Sequence, residues 1–420
     1  MAKRLVIVEL RVSAQASEEG AFRSLVSLDV PGFTLDTTYT PEPTKPSDPQ
    51  RLGEGEAAVF VRGEIDELFL SDLREHPWVL AVWDDALIEP TQATGRQSKR
   101  VLELTEIILT AHYPWPVDCD PQTPKGDLEA VAKYLGCDWI WQQGYRGNGI
   151  VIAICDTGID ADNVAAVLDG WAPNNALPVG QDEDGHGSMC ATDALGVAPE
   201  AGLYDVGVLK GRSLLSDALK GYGWIIEKYR QAGMPQVVSN SWALYRSALA
   251  PQYAHDARHP LTRRIVEAVD MGICVVFVAG NCGDGGCPSL RCGEDTGPGR
   301  SIWGANGHPK VITVGAANIK GEWVGYSSQG PAALCQEKPD VCAPSHYSGY
   351  YACDSGTSAA CPLCAGVVAL IRQAFPSLDV AEIKKVLNET AKDLCDPGQD
   401  AFSGFGMIDA RAAFSAASKL

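Results

Sequence analysis

The chain has 420 residues, enough for one large domain and a smaller one, and 45% apolar against 21% charged residues makes it an ordinary globular sequence. Its net charge of −19 and pI of about 4.8 repel nucleic acid and anionic membrane alike, which excludes both as the main partner. No apolar run approaches the roughly 18 residues of a membrane span; the longest candidate is residues 273–279.

Residues 1–90 read as a separate unit. Strands are expected at 3–11, 33–39, 57–65 and 78–88, and helices at 18–28 and 66–75. A Pro-rich loop, Pro41 to Pro49, interrupts them, because proline blocks both helix and ladder. The order β-α-β-β-α-β is that of a small α+β ferredoxin-like domain. Residues 91–124 form a linker holding Lys99-Arg100 and four prolines. Residues 125–420 alternate helix and strand. Continuous β-branched runs at 150–155, 237–238, 273–278 and 311–314 mark strands buried on both faces. The pattern predicts an α/β domain, a parallel sheet with helices on both faces.

The 14 cysteines are even in number. At the N-terminus Met1-Ala2-Lys3-Arg4 is followed only by a short apolar run, Leu5 to Val8, which Glu9 ends, so no secretory signal is seen. Most cysteines are therefore expected as reduced core thiols and the protein as cytoplasmic, with export by another route, and disulfides, as the alternative.

Three segments carry chemistry. In IVIAICDTGID a buried strand ends and Asp156 follows, at the sheet edge where parallel sheets collect ligands. In DEDGHGSMCATDALGVAPEA, His186 lies between two glycines at the start of an apolar helix. In DSGTSAACPLCAGVVALIRQAF, Ser358 opens a helix expected over 358–375, where free N–H groups and a positive dipole end face its hydroxyl. Each alone fits a bland role as turn, surface histidine or helix cap. Together, in the order Asp, His, Ser, DTGID, GHGSMCA and GTSAACP resemble the three active-site signatures of the subtilisin family. VVFVAGNCG resembles its oxyanion-hole segment, while WQQGYRGNGIVIAI and SGFGMIDARAAF resemble its entry strand and final helix.

The resemblance implies a serine endopeptidase with Asp156, His186 and Ser358 as catalytic triad, Asn281 as oxyanion donor and a peptide or protein as substrate. Ser241, Trp242 and Ala243 should form one wall of the primary pocket and Val278, Ala279 and Gly280 the other. Ala243, usually Gly in the family, should narrow the entrance. Residues 210–214 should pair with the substrate's other edge, where Arg212 could favour acidic residues. The first domain resembles the family's inhibitory prodomain, which makes the chain a zymogen and that domain an intramolecular inhibitor. Cleavage is expected within 91–124, with Lys99-Arg100 as one accessible place. A processing protease, a peptide ligase or cyclase, and an inactive binding module are the competing readings.

Several residues depart from the family. Met189 and Cys190 replace His and Val, and Cys361 replaces Ala. No cofactor or metal is required. The short loop after His186 argues against the family's strong calcium site, and calcium remains unassigned, with Asp182–Asp184 more simply a solvated acidic loop. Cys155, Cys361 and Cys364 read as small buried hydrophobes before a redox device. Cys282, Cys287 and Cys292 suit a disulfide or free thiols better than zinc.

Overall fold

The computed structural model describes residues 3–14, 28–91, 113–164, 166–174, 176–287 and 291–420. Residues 18–27 of the helix expected at 18–28 and the Lys99-Arg100 pair lie outside the described residues.

Two sheets organise the chain, and a short ribbon joins them. The N-terminal sheet has Lys3–Ser13 at its centre, antiparallel to Glu56–Asp66 on one side and Val79–Asp84 on the other. Phe33–Leu35 and Glu42–Thr44 both pair with the outer edge of Glu56–Asp66. The second of these lies within the Pro-rich stretch expected to be loop. Pro43 is tolerated because an edge strand can spare a donor. The short helix Leu70–Glu75 matches expectation. The strand expected at 78–88 does not run through. It ends at Asp84, and the chain leaves the sheet to pair again at Glu89–Pro90, antiparallel to Trp242–Ala243.

Among the described residues the large sheet has nine strands, in the order Val117–Asp118, Trp323–Val324, Ile312–Ala317, Cys274–Val278, Val237–Asn240, Val151–Cys155, Gly202–Val206 and Val167–Trp171, with Val341–Pro344 also on Ile312–Ala317. It is parallel except where Trp323–Val324 meets Ile312–Ala317. Val151–Cys155, Cys274–Val278 and Ile312–Ala317 are buried throughout, as sheets covered on both faces require. Cys155, Asn240 and Phe277 stand abreast on three adjacent strands. The residues that follow them therefore emerge at one edge, the carboxyl edge. The α/β fold expected from sequence is the one observed.

Under that edge runs the helix Gly356–Ala374, packed on the helix His186–Val197 and on the central strands. It is long and apolar enough to cross a membrane by length and composition, contrary to the sequence expectation, but 83% of that stretch is buried inside the protein. It is a core helix.

The N-terminal sheet docks on the start of the helix Leu215–Ala232. Asp85 accepts from the Ser216 backbone N–H at 3.1 Å and from its hydroxyl at 2.7 Å, and Arg62 donates to Asp217 at 2.7 Å. A carboxylate at a helix N-terminus meets free N–H groups and the positive dipole end.

Candidate active site

Asp156 leaves the strand Val151–Cys155 with its carboxylate turned toward His186. Its Oδ1 lies 2.6 Å from His186 Nδ1 and accepts from the Thr157 N–H at 2.8 Å. His186 opens the helix His186–Val197, and Gly187 makes the placement possible. A Cβ there would come within 2.0 Å of the Gly158 carbonyl oxygen. Burial alone would lower the His186 pKa, but the Asp156 carboxylate overrides it and holds it above its ordinary value, with Asp184 and Asp182 adding. The histidine side chain is fully buried, and among the described residues its Nε2 has no hydrogen-bond partner.

Ser358 is the third residue of the helix Gly356–Ala374. Pro362 lies inside this helix, beyond its first turn, and cannot donate to the carbonyl of Ser358. That carbonyl accepts instead from the Ser241 hydroxyl at 3.2 Å and the Cys190 thiol at 3.7 Å. Cys190 also reaches Asp156 Oδ2 at 3.7 Å, so one thiol touches both Asp156 and Ser358. The Ser358 hydroxyl does not face the histidine. It lies 2.7 Å from the Thr91 hydroxyl and 3.3 Å from the Ser241 carbonyl.

Thr91 is the residue that sequence reasoning missed. Its N–H donates to the Ser241 carbonyl at 3.0 Å, and its own carbonyl oxygen accepts from the Asn281 side-chain amide. Asn281 Oδ1 is fixed by the Thr357 N–H at 3.0 Å and hydroxyl at 2.9 Å. Upstream, Ile88 donates to the Ser213 carbonyl at 2.9 Å and Leu87 bridges Leu214. Residues 87–91 thus lie as an added strand between the two expected pairing segments, with Thr91 fully buried beside Ser358.

Of the expected wall residues, Ser241 and Ala243 meet this strand through their backbones. Trp242 also pairs by backbone, but its ring goes into the core, edge-on to Phe277. Val278 and Ala279 are buried behind Asn281, and the Gly280 N–H is held by the Thr357 hydroxyl at 3.3 Å. Arg212 is engaged by the N-terminal sheet, 3.4 Å from Asp36 and 3.6 Å from Glu64. An acid-oriented imidazole, a hydroxyl at a helix N-terminus and an amide aimed at a carbonyl oxygen can together perform acyl transfer.

A family model described as the subtilase family matches residues 147–406. The chain belongs to the subtilase family. Serine protease AprX of Bacillus subtilis is 32% identical to this subtilase over 310 residues, 64% of this chain; the chain spans 66% of that relative's length. Minor extracellular protease Epr of the same organism is 25% identical over 283 residues, 65% of this chain and 39% of Epr. Fervidolysin from Fervidobacterium pennivorans, a keratinolytic enzyme related to subtilisin, shares the fold. Its crystal structure aligns over 99% of this chain and 61% of its own, with a TM-score of 0.62 and 18% identity.

The cytoplasmic expectation for this subtilase is overturned. Cys119 is bonded to Cys287 and Cys282 to Cys292, and such bonds persist in oxidising compartments. The relative Epr is extracellular by name. The bonds fit an oxidising compartment and not the cytoplasm. The two bonds also take up all three cysteines weighed for zinc. The other ten are free, as the majority reading had it. Burial pushes the Cys361 thiol up to about 12 and those of Cys155, Cys190 and Cys364 well above the ordinary value, which keeps them protonated. Asp182 is not simply solvated. It accepts from the Thr157 and Ser188 hydroxyls and the Gly185 and Ser188 N–H groups, pinning the loop before His186.

Behind Ser358 lies a second chain of polar groups that the sequence did not reveal. The Gly356 N–H meets the Tyr326 hydroxyl at 2.9 Å, that hydroxyl meets His346 Nε2 at 2.6 Å, and His346 Nδ1 meets Asp118 at 2.7 Å. Tyr326 and His346 are nearly or fully buried. His346 holds φ +62, a strained value for a residue with a Cβ. Burial would raise the Asp118 pKa, but the hydrogen bond and charge of His346 carry it well below the usual carboxylate range.

Proposed function

We propose that this subtilase is a serine endopeptidase, made as a zymogen, that cuts its own chain after Thr91. Residues up to Thr91 then serve as an intramolecular inhibitor. The observation that carries the reading is the position of Thr91, with its carbonyl oxygen on the Asn281 amide and its hydroxyl on Ser358.

The mechanism is the subtilisin mechanism carried to these positions by family. Ser358 Oγ turns from Thr91 Oγ1 to His186 Nε2, gives up its proton there and attacks the peptide carbonyl carbon. The Asn281 amide and the Ser358 N–H hold the oxyanion. His186 then protonates the leaving amine, and water repeats the sequence to release the acyl group. Asp156 keeps the proton on Nδ1 and balances the imidazolium.

A fluorophosphonate probe tests the reading. Labelling of the wild type and none of Ser358→Ala is the expected result. A folded wild type that stays both uncut and unlabelled would show a binding module instead.

A further inference from the structure

The strand in the groove carries a charge, and the groove carries its counterpart. If the bond after Thr91 is the one cut, Glu89 is the third residue before it. The Glu89 carboxylate lies 3.7 Å from the Arg291 guanidinium, which also donates to the Pro90 carbonyl at 3.4 Å. Arg291 sits over the Tyr245 ring, 5.6 Å from its centroid, and the Tyr245 hydroxyl donates to the same carbonyl at 3.2 Å. The guanidinium is held at its root as well. Cys292, the next residue, is bonded to Cys282, which directly follows Asn281, and both sulfurs pack with Tyr245 in one small buried cluster. A planar cation stacked on an aromatic face keeps its donors in plane for a carboxylate.

We propose that Arg291, set on Tyr245 beside the Cys282–Cys292 bond, is a specificity-determining residue that selects peptides with an acidic side chain third before the cut bond. The proposal rests on the protease reading and deepens it. Its contact to the Pro90 carbonyl serves any peptide, so general activity does not report on it. Discrimination between a carboxylate and its neutral amide does. Glu89 and Arg291 are 49% and 35% exposed, so water screens the pair and the preference is modest, about two- to five-fold.

The experiment uses the full-length protein, incubated until its mass stops changing, separated from its N-terminal fragment near pH 4.5 and returned to pH 7.5 for assay. Two fluorogenic amides, Leu-Ile-Glu-Pro-Thr and Leu-Ile-Gln-Pro-Thr, are compared by kcat/KM. The wild type should favour the Glu peptide by about two- to five-fold at low salt, and added salt should shrink the preference. Arg291→Gln should lose it while still cleaving the Gln peptide. Arg291→Lys should restore part of it, and Arg212→Gln should leave it intact. A wild type that cleaves both peptides equally, or an Arg291→Gln protein that still prefers Glu, overturns the proposal and leaves the protease reading standing. Hydrolysis of neither peptide overturns both.

Discussion

The side-chain amide of Asn281 donates to the carbonyl oxygen of Thr91, although the two are 190 residues apart along the chain. Asn281 is itself locked by two hydrogen bonds from Thr357, the neighbour of Ser358. The donor is therefore preorganised, and its orientation costs nothing when negative charge develops on the oxygen. Asn281→Ala should lower kcat by about 10²–10³-fold, the size of the loss when such a donor is removed from subtilisin itself, with KM little changed. Steady-state kinetics on a peptide amide checks this. Unchanged turnover would remove Asn281 from the chemistry.

The pH profile follows from His186. The base must be neutral, and the Asp156 carboxylate raises its pKa against the opposing effect of burial. Activity should therefore fall on acidification with a midpoint above the ordinary imidazole value of about 6.5. Asp156→Asn should remove that upward shift and lower turnover sharply. A kcat/KM profile of both proteins decides it.

Tyr326 links the backbone just before the nucleophile to the buried Asp118–His346 pair. Tyr326→Phe leaves the Gly356 N–H without its partner, at a cost of about 1–3 kcal/mol. The groove is untouched, so the loss should fall on kcat and on thermal stability, with KM unchanged. A change confined to KM would show that this row of groups does not position Ser358.

His259 lies where the N-terminal sheet meets the main body. It contacts the Asp84 carbonyl at 3.1 Å, caps Leu261 at 3.3 Å and packs edge-on against Trp83 and Tyr253. Burial brings its pKa down to about 4, with Arg263 adding and the Asp84 and Asp256 contacts opposing. A histidine depressed in the folded state stabilises it fully above about pH 6.5, and that contribution is lost as pH falls toward 4. Acidification across that window should weaken the folded, docked state by up to roughly 3 kcal/mol. After cleavage, size-exclusion chromatography should find the N-terminal fragment retained at pH 7.5 and released near pH 4.5. A His259→Gln protein should show a weaker pH response.

Much of this was legible in the sequence because it is written locally. Asp156, His186, Ser358 and Asn281 each follow a strand or open a helix beside glycines that permit close approach, and those signals need no knowledge of distant partners. Thr91 gave no such signal. The residues before it read as one strand over 78–88 and Thr91 itself as the start of the linker 91–124, and only the break after Asp84 turns residues 87–91 into the groove. Asp118, Tyr326 and His346 are hidden for a related reason, being ordinary residues on three separate segments that only the folded sheet assembles. The disulfides were obscured by their partners. Cys119 and Cys287 are 168 residues apart, beyond any spacing rule, and buried free thiols outnumber the paired ones.

The most direct test is the mass and N-terminus of the full-length protein after incubation, beside Ser358→Ala. Wild type should yield a fragment ending at Thr91 and a partner beginning at Gln92, while Ser358→Ala stays whole. A folded wild type that remains intact, or one cut only elsewhere, would contradict the account.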